Sequence, residues 1–183
     1  MQQSIEEHEQ GQQFRSAFVA IIGRPNVGKS TLVNALLGQK IAAVSPKPQT
    51  TRKRQLGILT TDHAQLVFVD TPGIHSPRHK LGTFLNQEAE EALEGVDVIL
   101  WLVEIQARPQ EEDQRIASLL NRLPRRIQVV LAANKIDLVG EDVLNARLQA
   151  YLDLLNREVQ VVSISATENR YLDRLLEVLI SLA

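Results

Sequence analysis

The fold this sequence predicts is an α/β three-layer sandwich, with a mostly parallel six-stranded sheet between two layers of helices. Two observations predict it: short β-branched apolar runs alternate with longer amphipathic segments, and each run is apolar almost throughout. A strand covered on both faces reads as a continuous apolar run, whereas a half-solvated strand alternates apolar with polar. Strands that alternate with helices build parallel sheets through right-handed crossovers. The runs are residues 17–22, 65–69, 96–103, 127–133 and 159–164, and residues 55–61 read as a further strand. The helical patterns are residues 29–37, 83–93, 111–123, 143–155 and 172–182. In the last of these Leu172, Leu175, Leu176, Leu179 and Ile180 share one face at helical spacing. Such leucines and valines are read as core. Residues 1–14 carry little apolar content and read as a flexible N-terminal arm, which leaves residues 15–183 as one domain.

Composition narrows the class. The 183 residues are enough for one domain with a substantial core. Twenty Lys and Arg against 22 Asp and Glu give a formal charge of -2, which does not point to a whole-chain polyanion binder. With no cysteine, disulfides and thiolate metal sites are excluded. The apolar runs are too short to cross a bilayer, and the polar, acidic N-terminus does not resemble a secretory signal. The expectation is a soluble chain of the cytoplasm.

The first strand runs directly into Gly23-Arg24-Pro25-Asn26-Val27-Gly28-Lys29-Ser30, followed by a helical pattern from Thr31. This is G-x-x-x-x-G-K-[ST] in the strand–loop–helix setting of the P-loop NTPase fold. Gly23 and Gly28 allow a tight turn and a close approach of backbone to phosphate. Successive N–H groups and the positive end of the helix then face the anion. Gly23, Asn26, Val27, Gly28, Lys29, Ser30 and Thr31 are the expected phosphate-binding positions. Lys29 would reach the β- and γ-phosphates, and the Ser30 hydroxyl would ligate Mg²⁺. A bland turn with a surface lysine is the competing reading, and the strand–loop–helix setting weighs against it.

Two further motifs stand at the carboxyl ends of strands, where nucleotide sites of open α/β sheets assemble. Asn134-Lys135-Ile136-Asp137 follows the run at 127–133. Its Asp137 carboxylate can accept hydrogen bonds from guanine N1–H and the exocyclic amine. Adenine offers no such donor pair, so the wrong base would leave a desolvated charge unpaired. The Lys135 stem can lie over the base, and Asn134 can tie this loop to the phosphate loop. Read alone, the tetrapeptide is also a plausible helix start with a capping aspartate. Asp70-Thr71-Pro72-Gly73 follows the run at 65–69, where Asp70 would hold Mg²⁺ through water and the Gly73 N–H would bind the γ-phosphate. An ordinary turn would use the same residues. After the last strand, Ser165-Ala166 could place a backbone N–H at the guanine carbonyl oxygen.

The motifs GRPNVGKSTLVNALLGQKIAAVSPKPQTTRKRQLGI, DTPGIHSPRHKLG, NKID and SISA, taken together, resemble the Era GTPases within the Era/TrmE-type branch. The resemblance runs from Ser16 to Ala183. It implies that residues 46–54 form switch I, from which a threonine joins Mg²⁺ in the GTP state. The match allows Thr50 or Thr51, and Thr51 is preferred. It implies a role in 30S ribosomal subunit assembly through 16S rRNA, with possible peripheral association at the inner face of the cell membrane. Era proteins continue into an RNA-binding KH domain, and this sequence carries no G-x-x-G loop of that kind. The expectation is therefore the GTPase part of a longer protein. Lys47, Arg52, Lys53, Arg54, Arg78 and Lys80 read as a solvated switch surface, with RNA contact as the alternative.

The chemistry expected is in-line attack of water on the γ-phosphate of GTP, catalysed by position and charge neutralisation. Lys29, Thr51 and Gly73 are the candidate catalytic positions. Ser30, Thr51 and Asp70 are the candidate Mg²⁺ positions. In many GTPases a glutamine follows the D-x-x-G motif and orients the water; here Ile74 stands there. In related TrmE-type GTPases the residue matching Asn26 binds K⁺, so Asn26 is a candidate K⁺ ligand. The rival readings are an ATP-using motor or kinase, which NKID disfavours, and a nucleotide-gated binding module with incidental hydrolysis.

Overall fold

The structure, a computed structural model, describes residues 14–39, 54–70, 93 and 95–183. Six strands form one sheet: β1 (Arg15–Ile22), β2 (Arg54–Thr60), β3 (Ala64–Asp70), β4 (Val98–Glu104), β5 (Gln128–Asn134) and β6 (Gln160–Ser163). Their order across the sheet is β2-β3-β1-β4-β5-β6. All neighbours are parallel except β2, which runs antiparallel to β3 at the edge. The helices are α1 (Lys29–Gln39), α2 (Glu111–Arg122), α3 (Glu141–Leu152) and α4 (Leu172–Ser181).

The three layers follow from the two-residue period of the strands. Along β4, Leu100 and Leu102 point into a core shared with Leu32 and Leu36 of α1 and Leu175 and Leu179 of α4. The intervening Ile99, Trp101 and Val103 point into a second core with Ile116 and Leu120 of α2 and Tyr151 of α3. Every residue from Val98 to Val103 is buried, which is why the sequence shows no alternation there. In α4 the predicted face is the buried one, at Leu172, Leu175, Leu176 and Leu179. The edge strand β2 shifts register between Gln55 and Gly57. At Gly57 a Cβ would stand 2.4 Å from Leu37 Cδ1 of α1, so the helix comes down onto the backbone of the edge strand.

Most element bounds differ from the sequence reading by one or two residues, and those of α3 differ at both ends. The pattern at 143–155 is α3 at Glu141–Leu152, and Val143 is exposed. Gly140, in extended backbone, starts the helix two residues early, and Glu141 and Asp142 favour its positive end. A short 3₁₀ turn (Ile136–Leu138) carries the second half of the NKID tetrapeptide. The helical pattern at 83–93 and the N-terminal arm lie outside the described residues, apart from the buried Leu93 and the exposed Phe14. No helix among the described residues is long and apolar enough to cross a membrane.

Candidate functional site

The carboxyl ends of β1, β3, β4, β5 and β6 lie along one edge of the sheet, and the predicted motifs follow them. β1 pairs with β3 so that Ile21 stands opposite Asp70, which brings the backbone of Asp70 beside the start of the phosphate loop. β4 pairs with β5 so that Glu104 stands opposite Asn134. The Ile105 N–H donates to the Asn134 carbonyl at 3.1 Å, which extends the ladder one step into the base loop.

The phosphate loop is shaped by its two framing glycines. Gly23 has φ 152° and Gly28 φ 105°, both strained for any residue with a side chain. A Cβ on Gly23 would meet the Leu102 carbonyl oxygen at 2.2 Å, and one on Gly28 would meet Asn134 Nδ2 at 2.4 Å. Val27 is fully buried under the loop, while Asn26, left-handed at φ 65°, Ser30 and Thr31 are exposed at the start of α1. Lys29 Nζ donates to the carbonyls of Gly23 at 2.7 Å and Arg24 at 2.8 Å. The loop thus wraps around its own ammonium group, at the helix end where anions are stabilised.

The base loop is held to the phosphate loop by one side chain. Asn134, only 2% exposed, donates from Nδ2 to the Val27 carbonyl at 2.8 Å and accepts at Oδ1 from the Ala166 N–H at 3.0 Å. Lys135 turns the chain in left-handed backbone at φ 67°, and its Nζ reaches Glu104 Oε1 at 2.8 Å, which stretches the side chain toward β4. The turn Ile136–Leu138 then carries Asp137, whose Oδ1 is buried with no hydrogen-bond partner among the described residues. An acceptor desolvated without a donor costs about 1–3 kcal/mol. It is suited to a ligand that brings an N–H.

The amides of Ser165 and Ala166 have partners within the protein. The sequence reading places a backbone N–H of Ser165 or Ala166 at the guanine carbonyl. In the structure the Ser165 N–H donates to the Arg170 carbonyl at 3.2 Å, within a tight antiparallel bridge, and the Ala166 N–H is taken by Asn134. These residues brace the base loop from behind, because the buried Asn134 oxygen needs a donor. Thr50, Thr51, Gly73 and Ile74 lie outside the described residues, as do Lys47, Arg52, Lys53, Arg78 and Lys80. Of Asp70 and Arg54 only the backbone is described.

A group of residues behind the phosphate loop escapes the sequence reading. Arg24, 8% exposed, donates from Nε to Asp113 Oδ2 at 2.7 Å and from Nη1 to Gln110 Oε1 at 3.0 Å. Asp113 is fully buried; the same oxygen accepts from the Gln110 N–H at 2.9 Å, closing the first turn of α2. The Tyr151 hydroxyl lies 3.4 Å from Asp113 Oδ2 and 3.5 Å from the Glu104 carbonyl, and its ring meets Trp101 edge to face at 5.8 Å. Burial, and then the Asp113 carboxylate, push the Tyr151 hydroxyl up to about 12, so it stays a protonated donor. Burial works against the Arg24 charge, but Asp113 and its hydrogen bonds more than offset that and leave the guanidinium above its ordinary value. Only an arginine inside a glycine-framed loop and an aspartate on a helix face hinted at this group.

At the far end of β5 an open cavity of about 610 Å³, lined by Arg125, Gln128, Leu155, Asn156, Arg157 and Glu158, holds none of these residues. Its two arginines donate to the carbonyls of Asn156, Leu120 and Ile127.

A family model described as 50S ribosome-binding GTPase matches residues 18–135, most of the sheet and both nucleotide motifs up to Lys135. The chain belongs to this GTPase family. Within it, the chain is similar to GTPase Era of Ruminiclostridium cellulolyticum, at 43% identity over 90% of this chain and 54% of that protein. It also resembles the structure of an Era in complex with MgGDPNP and nucleotides 1506–1542 of 16S ribosomal RNA. There the TM-score is 0.65 at 35% identity, covering 93% of this chain and 57% of the other. A substituted Era of Aquifex aeolicus bound to GDP and AlF4⁻ matches with TM-score 0.67 at 35% identity, covering 91% and 56%. The chain spans about half the length of these relatives.

Magnesium suits the donors that remain. Among the described residues no cluster of three His, Cys, Asp or Glu could hold a metal by itself. The exposed Ser30 hydroxyl at the start of α1 is a hard oxygen of the kind magnesium takes.

Proposed function

We propose that residues 15–183 form a guanine-nucleotide-binding domain that hydrolyses GTP to GDP and phosphate as a molecular switch. The observation that carries this reading is the buried Asp137 Oδ1, without a partner among the described residues, on a loop that Asn134 fastens to the phosphate loop. A guanine seated there supplies two N–H donors to the carboxylate, and adenine supplies none in that place. Lys29, the loop amides and Gly73 would stabilise charge on the transferring phosphoryl group, while a water attacks in line. Ser30, Asp70 and Thr51 would hold Mg²⁺, which neutralises charge on the β- and γ-phosphates. Asp137→Asn tests the base assignment: GTP should weaken and xanthosine triphosphate should gain, since its C2 carbonyl accepts from an amide. Undiminished GTP preference in a competition assay would refute the assignment.

The Era relatives support a place in 30S subunit assembly through 16S rRNA, since one of them is seen with Mg²⁺, a GTP analogue and that RNA. Peripheral contact with the inner membrane belongs to the same resemblance. Ile74 supplies no water-orienting amide, so a second cation is proposed to complete the charge: K⁺ at the exposed Asn26. The same site would also serve a nucleotide-gated binding module whose output is partner release, with hydrolysis incidental. Initial hydrolysis rates in KCl and NaCl, with and without 30S subunits, separate these readings. Equal rates in the two salts, or a K⁺ effect that survives Asn26→Ala, would remove Asn26 from the site. Rates indifferent to subunits would favour the gated module.

A further inference from the structure

The pair Arg24–Asp113 is an odd investment if its role is stability alone. Both side chains are nearly or fully buried, and a buried ion pair rarely gains more than it loses in desolvation. Two of its atoms, Arg24 Nη2 and Asp113 Oδ1, have no hydrogen-bond partner among the described residues, which adds to the cost. What the pair does achieve is position. The backbone carbonyl of Arg24 is one of the two on which Lys29 Nζ rests, and the other belongs to its neighbour Gly23. The Arg24 side chain runs the opposite way, into the layer of α2 and α3, and ends on the buried Asp113 carboxylate. Asp113 is fixed on the first turn of α2 by the Gln110 N–H and approached by the Tyr151 hydroxyl of α3.

We infer that Asp113, through Arg24 and steadied by Tyr151, is a positioning residue for the phosphate loop, setting where its first turn and Lys29 stand toward a nucleotide's phosphates. This rests on the nucleotide-binding reading and goes beyond it, because Asp113 and Tyr151 lie outside the phosphate- and base-binding motifs and Arg24 fills an unspecified position of the phosphate-loop motif. Losing the anchor loosens the loop while the base loop stays in place on Asn134. Nucleotide release therefore speeds up, and the preference among bases stays the same.

The test is release of a fluorescent (methylanthraniloyl) GDP from the 183-residue chain, by stopped flow, beside thermal unfolding of each variant. Asp113→Asn, which keeps the shape and removes the charge, and Arg24→Gln should each speed release about tenfold, about 1.4 kcal/mol. Both changes together should do no more than either alone, because they remove one shared interaction. Leu119→Ala, a buried change on the same helix, should lower the melting temperature and leave release at the wild-type rate. The GDP-to-xanthosine-diphosphate preference should be unaltered in every variant. Should Asp113→Asn not fold, Tyr151→Phe removes a single contact to the same oxygen and should speed release two- to threefold. The inference is overturned if the Arg24 and Asp113 variants melt earlier yet release GDP at the wild-type rate, or if Leu119→Ala speeds release equally. A wild-type chain that binds no GDP derivative would instead sink the nucleotide-binding reading itself.

Discussion

The phosphate loop and the base loop touch at Asn134, yet they hold their polar groups in opposite ways. In the phosphate loop the ammonium group of Lys29 donates to two loop carbonyls. The base loop keeps one buried acceptor, Asp137 Oδ1, without a donor among the described residues. A ligand entering the first loop must exchange bonds that exist, so the net gain per contact is modest. On the nucleotide-binding reading, a guanine at the second would give that buried acceptor its donors, and a base that cannot donate would gain nothing there. On that reading affinity and identity are separated along one edge of the sheet: phosphates would contribute affinity through charge, and the base discrimination through the Asp137 carboxylate.

Asn134→Ala should break the separation most severely. It strips the Val27 carbonyl and the Ala166 N–H of their buried partner at once, costing on the order of 3 kcal/mol. The expected outcome is a fall in both melting temperature and guanine-nucleotide affinity, seen by thermal unfolding and by titration with GDP. A loss of affinity for phosphates with base preference fully kept would show that the two loops do not need their common tie. Gly28→Ala comes next. Its methyl group would lie 2.4 Å from Asn134 Nδ2 in a backbone region with φ 105°, so the phosphate loop should yield first. About 2 kcal/mol of binding, roughly thirtyfold in the GDP dissociation constant, is expected, with base preference kept. The smallest effect belongs to Glu104→Gln. It weakens a half-exposed ion pair to Lys135 worth at most about 1 kcal/mol. A two- to threefold rise in the GDP dissociation constant, shrinking as salt is added, would sharpen the view that Glu104 steadies the base loop alone. An effect on the phosphate side equal to that of Gly28→Ala would contradict it.

The layers and the sheet were legible because burial on both faces leaves a direct trace, as at residues 98–103, where an unbroken apolar run is unbroken burial. The phosphate loop was legible because its geometry demands glycine at two fixed places. The bracing role of Ala166 was not, because a backbone amide carries no signature in its own side chain and its partner, Asn134, lies 32 residues away. The Arg24–Asp113–Tyr151 group was hidden for a related reason. Its members are separated by 89 and 38 residues, and each taken singly looks like a surface charge or a core aromatic. The start of α3 went astray because its helix is only weakly amphipathic, with Val143 facing outward, so the pattern was set by the wrong residue.

The close seating of Leu37 on Gly57 has a mechanical consequence. The helix that begins at the phosphate-binding lysine and the edge strand β2 are geared together at this contact, and residues 40–53, with both candidate threonines, join one to the other. Were the helix to shift along its axis from its phosphate-facing end, this contact would press on the strand into which that connection runs. The missing side chain at position 57 acts as a bearing surface between them. Thickening it by one methyl group would separate the two parts by a fraction of a bond length and slacken the drive, far from any atom that touches nucleotide.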